Sequence, residues 1–489
     1  MKRLFVGGLA VVLVFWTVSA SPAQSPAAPG SSESYFEEGL DHLDDGQYDQ
    51  AIAAFTRAIE KNPTDFKAYA ARGMAYHSSD RDDKALTDLN KAIEMNPEFA
   101  EGYADRGRVH AAKGDYEPAM TDINRAIALD ARAANAYSLR GSVHYANGRY
   151  EEAVADYSKA MEIQPGVAED YRNRGKARES LRKHGEAIAD YTEAIRIDPD
   201  DADAYFDRGL LHLSQRKADL AIADLSEVID IDPDYAGAFK SRAIAFALAG
   251  ATDSAIDDLT EVLELDPKDS WALAERAGAF FATEQFEEAA ADYTKLLELR
   301  PNDSEVFMNR GMAYQMMDDF EKAIGDFSRA IEIKPNNTAA LTDRATAHEA
   351  AGNYEKALED FSKVVELKPG EAWAYVNRAR AYNGSGKYDN AIADCAKAIE
   401  LNPLDPTAYY QRGHAYFSSG HHDKALADAD KVLEMEREEG GAHGLKAMAH
   451  AAKGEHDKAW ENVNKAEELG FQVDPEFVQN LKKASGKTK

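Results

Sequence analysis

The chain runs to 489 residues with 87 acidic and 57 basic side chains, a formal charge of −30, and one cysteine. A field of that sign repels phosphate backbones and anionic headgroups, which speaks against nucleic acid as a partner and leaves solubility as the plain use of the acid. The lone Cys395 rules out an internal disulfide and reads as a small buried hydrophobe.

Residues 1–20 have the pattern of an export signal. Lys2 and Arg3 precede an apolar run of 15 residues, Leu4 to Val18, which is shorter than the roughly 20 a membrane span needs. Val18-Ser19-Ala20 offers a small-x-small cleavage site, so cleavage is expected after Ala20. No cysteine follows it, which excludes a lipoprotein anchor. The alternative is an uncleaved anchor tethering the chain to a membrane. Residues 21–31, rich in Ser, Pro and Ala, read as a flexible linker.

From Ser32 onward the chain repeats. Pro63 and Pro97 stand 34 apart, and the ladder continues through Pro165, Pro199, Pro233, Pro267, Pro301, Pro335, Pro369 and Pro403, with Ala131 the one missing rung. A period of that length means stacked supersecondary units rather than one globular core. With the proline at position 32, thirteen repeats span residues 32–473, the first starting at 32 and the ninth at 304. Each has two helical patterns around a turn near positions 14–17, often holding a glycine such as Gly46, Gly352 or Gly386. In repeat 9, Phe307, Gly311 and Tyr314 share one face of the first helix, and Ala323, Phe327 and Ala330 one face of the second. The small residues at positions 8 and 20 let the two helices approach closely, and position 20 is alanine in all thirteen repeats.

The pattern aromatic-x3-Gly-x2-Tyr followed by Ala-x3-Phe-x2-Ala-x4-Pro resembles the tetratricopeptide repeat family, over residues 32–473. The resemblance implies an all-α solenoid: helix-turn-helix repeats stacked into a right-handed superhelix, with a concave groove lined mainly by first helices. After the last repeat, Asp474-Pro475-Glu476 is a helix start, and Phe477, Val478 and Leu481 give residues 475–484 one apolar face, as a capping helix needs.

Position 7 departs from the family, which usually has an apolar residue there. Repeats 2 to 12 all carry arginine at position 7 and aspartate at position 23, among them Arg310 with Asp326 and Arg344 with Asp360; the first and last repeats have neither. Joint loss at both ends argues for pairing within one repeat. The two readings are a brace between the helices of a repeat and an array of anion-binding arginines.

Signatures of catalysis are missing: there is no Gly-rich phosphate loop, no His-Glu-x-x-His, no Gly-x-Ser-x-Gly. Neither an enzyme nor a cofactor is expected. Asp198, Asp200, Asp201 and Asp203 lack the central glycine of a calcium loop, and the histidines between His414 and His456 fall mostly at aromatic repeat positions, so no metal site is expected. Function then comes from a surface.

In the family, positions 2, 5, 9, 12 and 13 of first helices point into the groove. Carried onto this chain they place Phe206, Leu210, Leu213, Ile244, Leu248, Trp271, Phe281, Met308, Met312 and Met316 there, with Trp373, Val376, Tyr410 and Phe417 further on. Repeat 5 adds Arg172 and Lys176. An exposed apolar series marks an interaction site; the alternative is packing between repeats. The expected function is a non-catalytic exported scaffold holding an extended segment or helix of a protein partner, in a bacterial envelope assembly by resemblance, periplasmic or extracellular. The alternatives are a periplasmic carrier or receptor for a small or lipidic ligand, and a regulatory subunit of an enzyme.

Overall fold

A computed structural model describes residues 28, 30–436 and 438–486. The expected export signal and most of the linker lie outside the described residues. Among those described there are 27 helices and no strand. The chain divides into two compact units, Met1–Gly250 and Ala251–Lys489. The first holds six complete repeats and the first helix of repeat 7. The second holds the second helix of repeat 7, six complete repeats and the terminal helix.

Repeat 9 shows how the sequence makes the hairpin. Asp303 caps the first helix, Ser304–Met316, its carboxylate accepting from the Glu305 and Val306 amides at 3.1 and 3.4 Å. Asp318 then takes φ 57°, the left-handed turn that reverses the chain. Position 15 is left-handed in every repeat: glycine in eight, but Asp80, Arg182, Arg216, Glu284 and Asp318 in the other five. The second helix, Phe320–Ile333, stops at Lys334, whose φ of −129° and ψ of 83° leave the helical region, which a following proline disfavours. Where Ala131 replaces the proline the second helix still stops in register, at Leu129, with Asp130 extended and accepting from the Arg132 amide at 2.8 Å. The same side-chain turn is made where the proline is kept, as at Asn62 and Asn96, so the stop at Ala131 does not need the ring.

Gly311 leaves room for an aromatic ring. A Cβ at that position would lie 2.7 Å from the Phe327 ring, which sits fully buried with Ala323 and Ala347. Within each unit, first helices of most neighbouring repeats touch one another directly, whereas second helices do not come comparably close. Within each unit the first helices therefore lie on its more closely spaced side. The terminal helix, Pro475–Ser485, is capped by Asp474 and buries Leu481 against the cluster of Trp460 and Val463; the Trp460 indole N–H donates to Ser485 Oγ at 3.0 Å. It covers the apolar end that a stack of repeats otherwise exposes.

Candidate protein-docking face

The arginine at position 7 is held from both sides. Arg310 donates through Nε and Nη2 to the two carboxylate oxygens of Asp326, both at 2.7 Å, and through Nη1 to Thr294 Oγ1 in repeat 8 at 2.9 Å. The guanidinium lies by the rings of Phe307 and Tyr314, at 5.7 and 5.8 Å. Arg344 repeats the arrangement with Asp360 at 2.8 and 2.7 Å and Ser328 at 3.0 Å. The bidentate pairs run from Arg72–Asp88 to Arg412–Asp428. Donors committed in this way hold protein, not an external anion, and the hydrogen bond to Asp326 raises the Arg310 pKa further above its ordinary value.

The bond to the preceding repeat is one the sequence reading missed. Its acceptor always lies 16 residues back, at position 25: Asn90 for Arg106, Ser158 for Arg174, Thr260 for Arg276. The signal was a column of short hydrogen-bonding side chains from Thr56 to Ser362, ending at Ala396. In the last repeat the same spacing carries a different pair, Lys446 Nζ to Asp430 at 2.7 Å. So Lys446, which has lost its intra-repeat carboxylate, keeps the inter-repeat bond.

Histidine stands at position 11, beside the brace, in several repeats. His144 Nε2 lies 3.6 Å from Asp156, and His212 Nε2 lies 3.8 Å from Asp224. Burial pushes His144, His212 and His348 below the ordinary histidine value, although Asp156, Asp224 and Asp360 pull each the other way. A histidine depressed in the folded chain stays neutral while the unfolded chain takes up protons. Stability is therefore present above about pH 6.5 and lost as pH falls through that value. Burial also lifts the carboxyls of Asp105, Asp170 and Asp207 to about 6, and these act in the opposite sense. Substitution separates the two. His144→Phe, His212→Phe, His348→Phe together, using the residue type found at Phe246 and Phe280, are expected to gain stability over the parent as pH falls from about 7.5 to about 5.5. A difference in melting temperature that does not change with pH would contradict this.

The apolar groove series divides into exposed and packed members. In the first unit Leu210 is 37% and Ile244 45% exposed. Phe206 and Leu213 are half-buried against Ala221, Leu225 and Ala245, and Leu248 is half-buried. In the second unit Met316 is 57% and Trp373 41% exposed. Trp271, Phe281, Met308, Met312, Tyr410 and Phe417 are half-buried. Met312 packs on the Phe327 cluster, Phe281 against Phe286 at 5.3 Å, Tyr410 against His414 at 4.7 Å, and Phe417 against His422 at 5.6 Å.

Three groove assignments need correction. Val376 is only 7% exposed and packs with Ala398 and Ala408, so it belongs to the interface between repeats 11 and 12. Arg172 is buried, its Nη1 donating to Asp201 at 3.1 Å and to Asp203 at 2.5 Å. Lys176 lies 3.0 Å from Asp207. These two cations are neutralised by the first helix of repeat 6 and its cap rather than offered to a partner; the acids were present in the sequence, but their register across the repeat junction was not. Among the described residues, no three His, Cys, Asp or Glu side chains stand together as a metal cradle.

Models of the tetratricopeptide repeat match residues 36–100, 107–148, 132–200, 172–236, 215–270, 246–310, 304–337, 338–371, 379–420 and 410–469. The chain belongs to the tetratricopeptide repeat (TPR) family. Among solved structures, it is similar to a TPR protein from Parabacteroides merdae, with 23% identity over 52% of this chain and 99% of that one and a TM-score of 0.44. Yeast Tom70 is 17% identical over 93% of this chain and 96% of that one, TM-score 0.36. YrrB, described as a TPR protein with an unusual peptide-binding site, is 25% identical over 38% of this chain and 95% of that one, TM-score 0.34. No curated protein matches the chain. TPR proteins are generally non-catalytic scaffolds for protein–protein interaction.

Proposed function

We propose that the chain is an exported, non-catalytic scaffold that holds an extended segment or a helix of a protein partner on its first-helix face. The observation that carries this is the set of large apolar side chains left exposed on first helices: Leu210 and Ile244 in the first unit, Met316 and Trp373 in the second. Alanines and rings fill the interior of each repeat, while these four keep more than a third of their surface in water. Leucine, isoleucine, methionine and tryptophan exposed to water gain free energy when a partner covers them, and tryptophan is a frequent anchor in protein interfaces. Export rests on the basic and apolar pattern of residues 1–20, and a bacterial envelope setting on family resemblance.

The test is cross-linked capture from native envelope extract with the intact chain as bait. It is run beside Leu210→Asp, Ile244→Asp and beside Met316→Asp, Trp373→Asp, each kept only if it melts with the parent. The expected result is a protein captured by the parent and lost by at least one pair, with bait recovered from the envelope beginning at Ser21. Equal capture by all three would move the site off the first helices. A small or lipidic molecule retained by the purified chain, displaced by the same substitutions, would favour the carrier reading instead.

A further inference from the structure

On the side of Phe206 and Tyr235, the first unit has a hollow of about 450 Å³ lined by repeats 5 and 6. Six carboxylates line it (Glu169, Asp198, Asp200, Asp201, Asp203 and Asp232) against one guanidinium, Arg172. Arg172 is already bonded to Asp201 and Asp203. Asp201 is also the cap of the repeat 6 first helix, accepting from the Ala204 amide at 3.0 Å. Asp198 and Asp232 accept only from the local amides of Asp200 and Asp234, both at 3.2 Å. Among the described residues, then, exposed Asp198, Asp200 and Asp232 face the hollow without a cation.

An apolar path leads out of it. Tyr235, one wall of the hollow, packs on Phe206 with ring centroids 5.0 Å apart. Leu210 follows Phe206 by one helical turn, and Ile244 holds the matching place in the first helix of repeat 7. From Asp203 to Leu210 is seven residues of helix, about 10 Å, the span of three residues in an extended chain.

We propose that this face takes a cationic amphipathic segment of the protein partner, its lysine or arginine seated in the acidic hollow and an apolar side chain three residues along it lying on Leu210 and Ile244. The inference rests on the docking reading above and names the chemistry of what docks. Charge complementarity selects the occupant: a segment rich in acid would meet uncompensated like charge at the hollow, which disfavours it beyond any loss of contact.

The test uses the intact chain and three labelled twelve-residue peptides: Lys-Ser-Ser-Leu repeated, Glu-Ser-Ser-Leu repeated, and Lys-Ser-Ser-Ser repeated. Only the first is expected to bind, with affinity that weakens between about 0.05 and about 0.5 M salt. Asp200→Asn, Asp232→Asn, which keep the local amide acceptor at Asp232, are expected to weaken it by about three- to tenfold. Ile244→Ser is expected to weaken it on the order of tenfold. Because the whole chain is acidic, Glu117→Gln, Glu151→Gln remove equal charge from exposed sites on second helices. If that control weakens binding as much as the hollow variant, or if the glutamate peptide binds as well as the lysine peptide, the proposal is overturned. If the lysine peptide fails while Leu210→Asp, Ile244→Asp still abolishes partner capture, the cationic assignment falls and the docking face stands. If capture survives as well, both fall.

Discussion

Asp326→Ala is expected to destabilise repeat 9 by about 3 kcal/mol, near the lower end of what breaking a buried ion pair costs. The carboxylate is nearly buried and receives both Arg310 bonds at 2.7 Å. Its removal leaves the guanidinium with Thr294 and two rings but no counter-charge. Arg310 retains some exposure, so water can recover part of the loss, which places the effect low in the range. A stack of repeats unfolds piecewise, and a single melting temperature can hide a local change. Amide exchange across Phe320–Ile333 is the direct readout, and its rate should rise about a hundredfold. Asp326→Asn, which keeps one acceptor, should fall between parent and alanine. Partner capture should be unaffected, because Asp326 lies on a second helix. Unchanged exchange in Asp326→Ala would mean that the pair braces nothing.

Phe327→Ala is expected to cost about 3–5 kcal/mol in the same repeat. The ring fills the space opened by Gly311 and is fully buried against Ala323 and Ala347. Alanines cannot lean in to refill the void, and of the side chains at the edge of the cluster (Met312, Tyr314, Phe320 and Ile324) the unbranched Met312 is the most adaptable. Limited proteolysis should therefore open the chain within residues 304–337 in the variant, well before the repeats on either side. Cleavage spread evenly along the chain would contradict a local role. Asp326 and Phe327 are neighbours, so the double substitution should cost less than the two separate costs added together.

The helical solenoid was legible from spacing because one period sets both helices, the turn and the stop. The intra-repeat brace was legible because Arg and Asp vanish together at both ends. The bond from arginine back to position 25 was not, since Thr294 or Ser328 taken alone is an ordinary polar residue on a helix surface. Its meaning lies in a register between repeats that no single repeat displays. Val376 and Arg172 failed for the same reason. Position within a first helix says which way a side chain leaves the backbone, but burial also depends on what the end of the repeat and the start of the next bring opposite it: Ala398 and Ala408 in one case, Asp201 and Asp203 in the other. The left-handed residue at position 15 shows the converse. Glycine marked it in eight repeats, yet Asp318 and its four counterparts adopt the same backbone because the hairpin around them is already determined.

The bond from each arginine to its predecessor also bears on how such a chain can change its length. The joints into repeats 2 to 11 use the same parts: a guanidinium from one repeat, and a hydroxyl or amide from the one before. If residues 304–337 were excised, Arg344 would come to stand over Thr294 in place of Ser328, one hydroxyl exchanged for another. Duplication of a repeat would preserve the joint in the same way. The protein is thus built like a ruler that can be cut or extended at any of these marks and rejoined, with its reach changing in whole steps while the seams stay the same. The last two seams are exceptions: Ala396 gives Arg412 no acceptor, and Lys446 with Asp430 replaces the pair beyond it, so a cut that moved either would carry a different join to a new place.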